Sequence, residues 1–219
     1  MDEFEINDGI PTGPDVHEVA AQLISLLDSD YTRIYESLRE GLSKQNFEIE
    51  HEFSARQLVR AFFAYVEGTI YSLKGFAGAQ LAFMGLELEE HEWDLIHEYQ
   101  HVLDDNGKVK HQSAMIRLIP NLKFMLRILG DTMGADEIDF KKEKWWPAFR
   151  SSIKVRDRLM HPKKLSDMNI SYAELGDLIE AREGFDELLS GYLGARPWTL
   201  EDIWPYMPKK DKAFTEPDN

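Results

Sequence analysis

The sequence predicts an all-α fold, a helical bundle built around one long central helix. Apolar residues recur at steps of three and four through most of the chain, which is the spacing of a helix that buries one face. No run alternates between apolar and polar residues as a strand would, and no internal repeat is present. A chain of 219 residues that is 43% hydrophobic suits a single core. We expect one domain at 15–193, between an acidic tail at 1–14 and a proline-containing, aromatic tail at 194–219.

Three helices are predicted in the first half of the chain. The apolar period through Val16 and Leu23, and then through Ile34 and Leu42, predicts two short helices. Residues 54–85 predict the long central helix, whose aromatic face is expected to form the core or a dimer interface. The residues of this face are Leu58, Phe62, Tyr65, Thr69, Leu73 and Phe76.

Two further helices are predicted at 87–105 and 113–130. The first is strongly acidic, and the sequence Asp-Asp-Asn-Gly at 104–107 should end it. Its predicted buried stripe consists of Trp93, Ile96, Tyr99 and Leu103. The second is apolar and basic, and Pro120 marks either its start or a kink within it.

The last two predicted helices have clear boundary signals. Residues 145–161 carry Pro147 in the first turn, where proline is tolerated, and Pro162 should end the helix at the preceding residue. Ser171 and Glu174 have the spacing of a capping box, which predicts a final helix from there to about residue 193.

The composition limits the possible functions. The chain has no cysteine, which excludes disulfides and thiolate metal sites. Its net charge is -15, so nucleic acid would have to bind at a local basic patch. The longest apolar stretch, 61–85, contains Glu67 and Lys74, and the N-terminus lacks the features of a secretory signal. We therefore expect a cytoplasmic protein that does not cross a membrane.

The basic patch lies at the end of the helix predicted at 145–161. Positions 154–164 hold five basic residues and one acid: Lys154, Arg156, Asp157, Arg158, Lys163 and Lys164. One interpretation is that these cations interact with the helix dipole and the free carbonyl groups at a helix C-terminus. The other is a site for phosphate groups, to which arginine presents a planar fork of donors.

His161 should lie at the rim of this helix end, because Pro162 forces the helix to stop there. Asp157 precedes His161 by four residues, on the same face, and could orient the imidazole. Arg156 precedes it by five residues, which is about 140° around a helix. One copy therefore cannot easily direct both groups at one phosphate, whereas two copies related by a two-fold axis could.

At these residues the sequence resembles the HEPN superfamily, named for the higher eukaryotes and prokaryotes nucleotide-binding domain. Its ribonuclease members carry an arginine, a polar residue and, a few positions later, a histidine near a helix end, as in 156–161. An aromatic run precedes the motif at 145–149, and the earlier helix at 62–73 corresponds to a family helix that often bears a glutamate, here Glu67. Two features differ. Asp157 stands where asparagine is commoner, and His161-Pro162-Lys163 replaces the ending of one toxin branch, so that branch and its nucleotidyltransferase partner do not follow.

The resemblance implies a homodimer whose motif helices form one site for RNA cleavage, without a metal or other cofactor, in stress or phage defence. His161 would transfer a proton, Arg156 would stabilise the phosphate in the transition state, and Asp157 and Glu67 would complete the site. The expected phosphate-binding residues are Lys154, Arg158, Lys163 and Lys164. An antitoxin or regulatory partner is a further expectation, and the acidic segment 87–105 could cover the basic site as a brake. The alternative is a HEPN-like scaffold that binds a nucleotide, RNA or a protein without catalysis.

A second motif, His97-Glu98-Tyr99-Gln100-His101, has the HExxH pattern of zinc proteases. Two histidines four residues apart on a helix can bind one Zn²⁺ while the glutamate activates a water molecule. The predicted buried stripe of that helix leaves His97 and His101 facing solvent, and no third ligand follows in a recognisable motif. A zinc hydrolase is therefore the third hypothesis.

Overall fold

The computed structural model describes residues 15–43, 49–85, 88–135 and 137–193. These residues form α1 (Asp15–Ser43), α2 (Ile49–Met84), α3 (Glu90–Ile96), β1 (Tyr99–Leu103), β2 (Val109–Ser113), α4 (Leu118–Met133), α5 (Trp146–Met160) and α6 (Tyr172–Leu193). A short 3-10 helix, Leu165–Met168, joins α5 to α6. The described part of the chain is thus mostly helical, as predicted. Both predicted tails, 1–14 and 194–219, lie outside the described residues.

Helix α1 is one helix of 29 residues, so the prediction of two short helices was wrong. Its buried face includes Ala21, Tyr31 and Leu38, which continue the helical period through the polar residues between the two predicted segments. No glycine or proline lies between residues 15 and 40 to end the helix. Packing against α2 along its length outweighs the weak helix propensity of Asp28, Ser29 and Asp30.

Helix α2 is the predicted central helix, and it contacts α1, α3, α4, α5 and α6. Its buried side chains, which occupy most of its circumference, include Leu58, Phe62, Tyr65, Ile70, Leu73 and Phe76. The exposed residues Arg60, Ala64, Glu67 and Tyr71 follow one another at steps of four, three and four, so they form one line along the helix. We call these four residues the α2 ridge.

The prediction of an acidic helix at 87–105 was wrong for the second half of this segment. Helix α3 has only seven residues, and the chain continues as an antiparallel hairpin of β1 and β2. Two hydrogen bonds stabilise the turn between the strands. Asp104 Oδ1 accepts from the backbone N–H groups of Asn106 and Lys108, both at 2.9 Å. Ile96 is buried as predicted, but Leu103 lies in β1 and is 71% exposed.

Buried Lys74 fixes the start of this hairpin. Its ammonium group donates to the backbone oxygen of Leu95 at 3.1 Å, to Glu98 Oε1 at 2.6 Å and to Asn121 Oδ1 at 3.1 Å. Glu98 has a positive φ of 57°, which is unfavourable for a side chain of this kind. The ion pair with Lys74 therefore holds the strained residue at which the chain leaves α3 and enters β1.

Arg182 on α6 is a second cation used inside the bundle. Its guanidinium carbon lies 4.0 Å from the ring centre of Tyr65 and 4.6 Å from that of Tyr31. The group pairs with Asp28 on α1 and, at 2.6 Å, with Asp186 on α6. These contacts join α1, α2 and α6.

Helices α5 and α6 begin near their predicted starts, whereas α4 begins at Leu118, five residues after the start predicted at 113, because Ser113 is the last residue of β2. Pro120 lies in the first turn of α4, so it marks a helix start rather than a kink. Ser171 and Glu174 form the predicted capping box, with Ser171 N–H donating to Glu174 Oε2 at 2.8 Å and Glu174 N–H donating to Ser171 Oγ at 3.3 Å. Helices α5 and α6 meet closely, because a Cβ atom at Gly184 would lie 2.0 Å from Trp145 Cγ.

Among the described residues, no helix combines the length and apolar character required to cross a membrane.

Replacing Lys74 with methionine should destabilise the fold by about 2–4 kcal/mol, because its three partly buried acceptors lose their donor. Burial lowers the pKa of Lys74 below its ordinary value of 10.5. Between the folded and ordinary pKa values the unfolded chain binds more protons, so the stability of the wild type should rise with pH there. K74M should lack this rise in urea unfolding at a series of alkaline pH values.

The matched control is K110M, which removes an exposed lysine from β2. It should retain both the stability and the pH dependence of the wild type. Equal unfolding free energies for K74M and K110M would contradict the role assigned to Lys74.

Candidate active site at the end of α5

Helix α5 ends where Pro162 predicts. Its last helical residue is Met160, and His161 is the C-cap, with φ -130° and ψ 58°. The His161 backbone N–H still donates to the Asp157 backbone oxygen at 3.1 Å, which holds the residue against the last turn. The imidazole is exposed, at the rim of the helix end. It is thus accessible for proton transfer to a ligand.

Arg156 lies one turn before this end and contacts α2. Its Nη1 donates to Glu67 Oε1 at 2.6 Å, and its Nε lies 3.4 Å from Asp157 Oδ1. The guanidinium carbon is 5.2 Å from the ring centre of Phe63. The structure therefore brings together three residues that the sequence proposed for the site, Arg156, Asp157 and Glu67.

These contacts leave Arg156 oriented but still accessible. About 27% of its side chain is exposed, and Nη2 makes no hydrogen bond to any described residue. An oriented guanidinium with a free nitrogen can donate to a phosphate oxygen at low entropic cost. The two neighbouring carboxylates oppose an anion at the same place, so a phosphate must displace one of them or approach from the Nη2 side.

Asp157 serves Arg156 rather than His161. The sequence allowed it to orient the imidazole, since the two residues are four apart on one helix. In the structure its carboxylate faces Arg156, and within the described residues the His161 ring has no hydrogen-bond or ion-pair partner. Arg156 and His161 are also still separated by five residues along the end of α5. One chain therefore directs these two side chains to different sides of the helix.

Arg158 has a structural role that the sequence did not reveal. Its guanidinium donates to the backbone oxygens of Asp167 at 3.0 Å and Asn169 at 2.6 Å. It also forms two hydrogen bonds with the carboxylate of Glu174, the shorter at 2.7 Å. The pKa of Glu174 is lowered chiefly by these hydrogen bonds from Arg158. Because these groups occupy most of the donors of Arg158, the predicted role of Arg158 in phosphate binding does not fit its contacts.

The other predicted phosphate-binding residues keep free side chains. Lys154, Lys163 and Lys164 are exposed. The backbone N–H groups of Lys163 and Lys164 donate to Asp167 Oδ2 at 2.8 and 3.1 Å, and these hydrogen bonds lower the pKa of Asp167. Asp167 thus folds the segment after Pro162 so that both ammonium groups can reach solvent.

Two residues of the site were missed at the sequence level. Phe63 was not among the residues predicted for the buried face of the central helix, and its contact with Arg156 requires α5 to cross α2 at this point. Arg56 donates from Nη1 to the Met168 backbone oxygen at 3.4 Å and so holds the 3-10 helix against α2. Both contacts join residues far apart in the chain, and no local pattern indicates them.

The HExxH pattern does not form a zinc helix. His97 ends α3, and its Nδ1 lies 2.7 Å from the Trp93 backbone oxygen, whereas His101 lies on β1 with Nε2 2.8 Å from Asp94 Oδ2. The spacing argument required both histidines on one helix face, which the strand prevents. In the described ranges no three His, Asp or Glu side chains are placed to hold a metal ion.

The acidic segment lies far from the basic loop of its own chain. Trp93 on α3 packs at Gly78 of α2, whereas Met168 packs at Arg56. These two α2 positions are 22 residues apart, or about 33 Å along a helix. The acidic side chains of α3 would therefore reach the basic site, as the predicted brake requires, only in a second copy of the chain.

Arg158→Ala should lower the free energy of unfolding by about 2–3 kcal/mol at pH 7, because it releases Glu174 and two loop carbonyl groups. The lowered pKa of Glu174 contributes stability above pH 4.5 that is lost as the pH falls through the folded value. The difference between variant and wild type should therefore shrink at acidic pH in urea titrations. K154A, at an exposed position on α5, should stay within about 0.5 kcal/mol of the wild type. Equal destabilisation by both variants would contradict the structural role of Arg158.

The candidate site thus consists of an oriented arginine, two carboxylates and an exposed histidine at a helix end, with free lysines beside it. Comparison of the chain with protein-family models, with curated proteins and with solved structures found no match.

Proposed function

We propose that this chain is a HEPN-type endoribonuclease that cleaves RNA without a metal ion, at a site formed by the α5 ends of two copies. The observation that carries the proposal is the contact of Arg156 with Glu67 at 2.6 Å. This contact joins the motif helix to the earlier helix in the way that the resemblance implies. An exposed histidine follows on the same helix end, as the chemistry requires.

The proposed reaction uses only groups present in the chain and the RNA. The ribose 2′-oxygen attacks the adjacent phosphorus while its proton passes to an imidazole of His161. The bond from phosphorus to the 5′-oxygen breaks, and that oxygen takes a proton from an imidazolium group. The products are a 2′,3′-cyclic phosphate and a 5′-hydroxyl end. Arg156 stabilises the extra negative charge on the phosphate in the transition state.

A second copy would complete the site, because one copy cannot direct both its Arg156 and its His161 at the same phosphate. Across a two-fold axis each helix end would present its Arg156 and His161 to the other, which removes the angular mismatch. Two apolar side chains beside His161 favour this contact, since Met160 is 56% and Leu165 87% exposed. Burial of these side chains in a dimer would contribute to its stability.

A non-catalytic scaffold is the second candidate, and the same site contains an observation in its favour. Two carboxylates, those of Glu67 and Asp157, already neutralise Arg156 within one chain. A guanidinium with this surrounding charge binds phosphate less strongly than a free one. In that case the helix end would bind a nucleotide, RNA or a regulatory protein without cleaving RNA.

R156A and H161A should each reduce RNA cleavage by about 10²- to 10⁴-fold, because each removes a group used in the transition state. Cleavage would be followed with a panel of labelled single-stranded RNAs, with the products tested for cyclic phosphate ends. The control R150A removes an exposed arginine of α5 outside the site and should retain full activity. Cleavage that persists in both site variants would contradict the nuclease, and inactivity of the wild type on every RNA would favour the scaffold.

The dimer has a separate test. The variant M160E/L165E should be monomeric in sedimentation velocity and should lose RNA cleavage, while its circular dichroism matches that of the wild type. A charge buried in an apolar contact between two copies destabilises the dimer. At these exposed positions the same charge changes the stability of the monomer little. A wild type that cleaves RNA as a monomer would refute the composite site.

A further inference from the structure

A groove of about 390 Å³ lies between α1 and α2, outside the site described above. Leu27 and Ile34 from α1 and Ala61 from α2 give it an apolar floor. Gln57 adds an amide, and Arg33 and Arg60 line it from the two helices. A concave surface of this size, with a few polar groups over an apolar floor, is typical of a small-ligand site.

The two arginines are the unusual feature of this groove. Both are exposed, and within the described residues neither has an ion-pair or hydrogen-bond partner. The whole chain has 40 acidic and 25 basic residues, so two unpaired guanidinium groups at one groove are notable. Asp30 also lines the groove, and the local charge of these three residues is still positive. The groove is therefore suited to an anionic ligand that has an apolar part.

The groove opens beside the candidate active site. Arg60 and Glu67 both belong to the α2 ridge, and Glu67 is the residue that binds Arg156. Glu67 follows Arg60 by seven residues, which gives a rise of about 10.5 Å and an angular difference of only about 20°. Groups bound at Arg60 and at Arg156 would thus lie next to each other on one exposed surface.

We propose that this groove binds a nucleotide of the RNA substrate, next to the nucleotide that is cleaved. Arg33 and Arg60 hold its backbone phosphate, the apolar floor receives the base, and the Gln57 amide can hydrogen-bond to the base edge. The substrate is accordingly single-stranded at this position, since a base in a duplex cannot reach the floor. This inference rests on the proposed nuclease function and adds a substrate class and a second binding position to it.

The test measures binding apart from cleavage. A fluorescent single-stranded oligonucleotide with 2′-O-methyl riboses cannot be cleaved, because the attacking hydroxyl group is blocked. Fluorescence anisotropy over a range of salt concentrations would compare wild type with R33Q/R60Q. We expect the variant to bind about tenfold more weakly at moderate salt. The slope of log K against log salt should fall by about 0.7 for each phosphate group that the variant no longer binds.

Two further variants separate a specific site from general charge or misfolding. R39Q/R150Q removes the same charge from exposed positions outside the groove and should keep the wild-type salt slope. A61F fills the groove without changing the charge and should weaken binding with the slope nearly unchanged. Circular dichroism melting would establish that each variant is folded.

The outcomes distinguish this inference from the nuclease proposal. If R33Q/R60Q binds as tightly as R39Q/R150Q with an equal slope, or if the wild type binds no oligonucleotide, the groove is not an RNA site, whatever the cleavage assay shows. If R33Q/R60Q loses binding while the wild type cleaves no RNA, the groove proposal stands and the nuclease proposal fails.

Discussion

The burial of α2 is the constraint on which the rest of the molecule depends. Five other helices pack on this helix, and its core side chains, such as Phe62 and Ile70, are almost completely removed from solvent. The α2 ridge is the line of side chains that remains accessible along its middle. Any group that α1 or α5 places beside this ridge is held on a rigid support. That is the condition under which a surface site keeps a defined geometry.

The contact between Arg156 and Glu67 is better explained by orientation than by stability. The side chains are 27% and 52% exposed, and pairs of such exposure contribute about 0–1 kcal/mol. The approach to the Phe63 ring adds a contribution of similar size. Neither interaction is needed to fold a bundle with this core. Together they restrict the guanidinium to one direction, which matters to a ligand that must be met in a fixed geometry.

Local signals decided which parts of the molecule the sequence could predict. Pro147, Pro162 and the capping box of Ser171 act within one turn, so the ends of α5 and the start of α6 followed from the sequence. The hairpin did not, because Tyr99–Leu103 fits a helical period as well as a strand, and buried Lys74 selects the strand through a contact with Glu98. The same distinction between local signals and contacts of distant residues holds in the candidate active site.

Arg156, Asp157 and His161 come from one local motif, and Glu67 came from a resemblance. Arg158 was predicted to bind phosphate, because it is a basic residue of the same helix end as Arg156. Its partners, Asp167, Asn169 and Glu174, lie in the connection after α5 and in the first turn of α6, and the motif does not encode the path that brings them to Arg158. The role of a cation in this acidic chain therefore depends on its contacts in the fold rather than on its place in the sequence. Lys74, Arg158 and Arg182 are paired within the fold. A polyanion would be attracted by exposed cations that have no partner among the described residues, and these include Arg33, Arg60, Lys154, Lys163 and Lys164. Because the net charge of -15 opposes the approach of a long polyanion, RNA would be retained only where several of these free cations meet one strand. This constraint favours a short single-stranded contact along the α2 ridge over a broad charged surface.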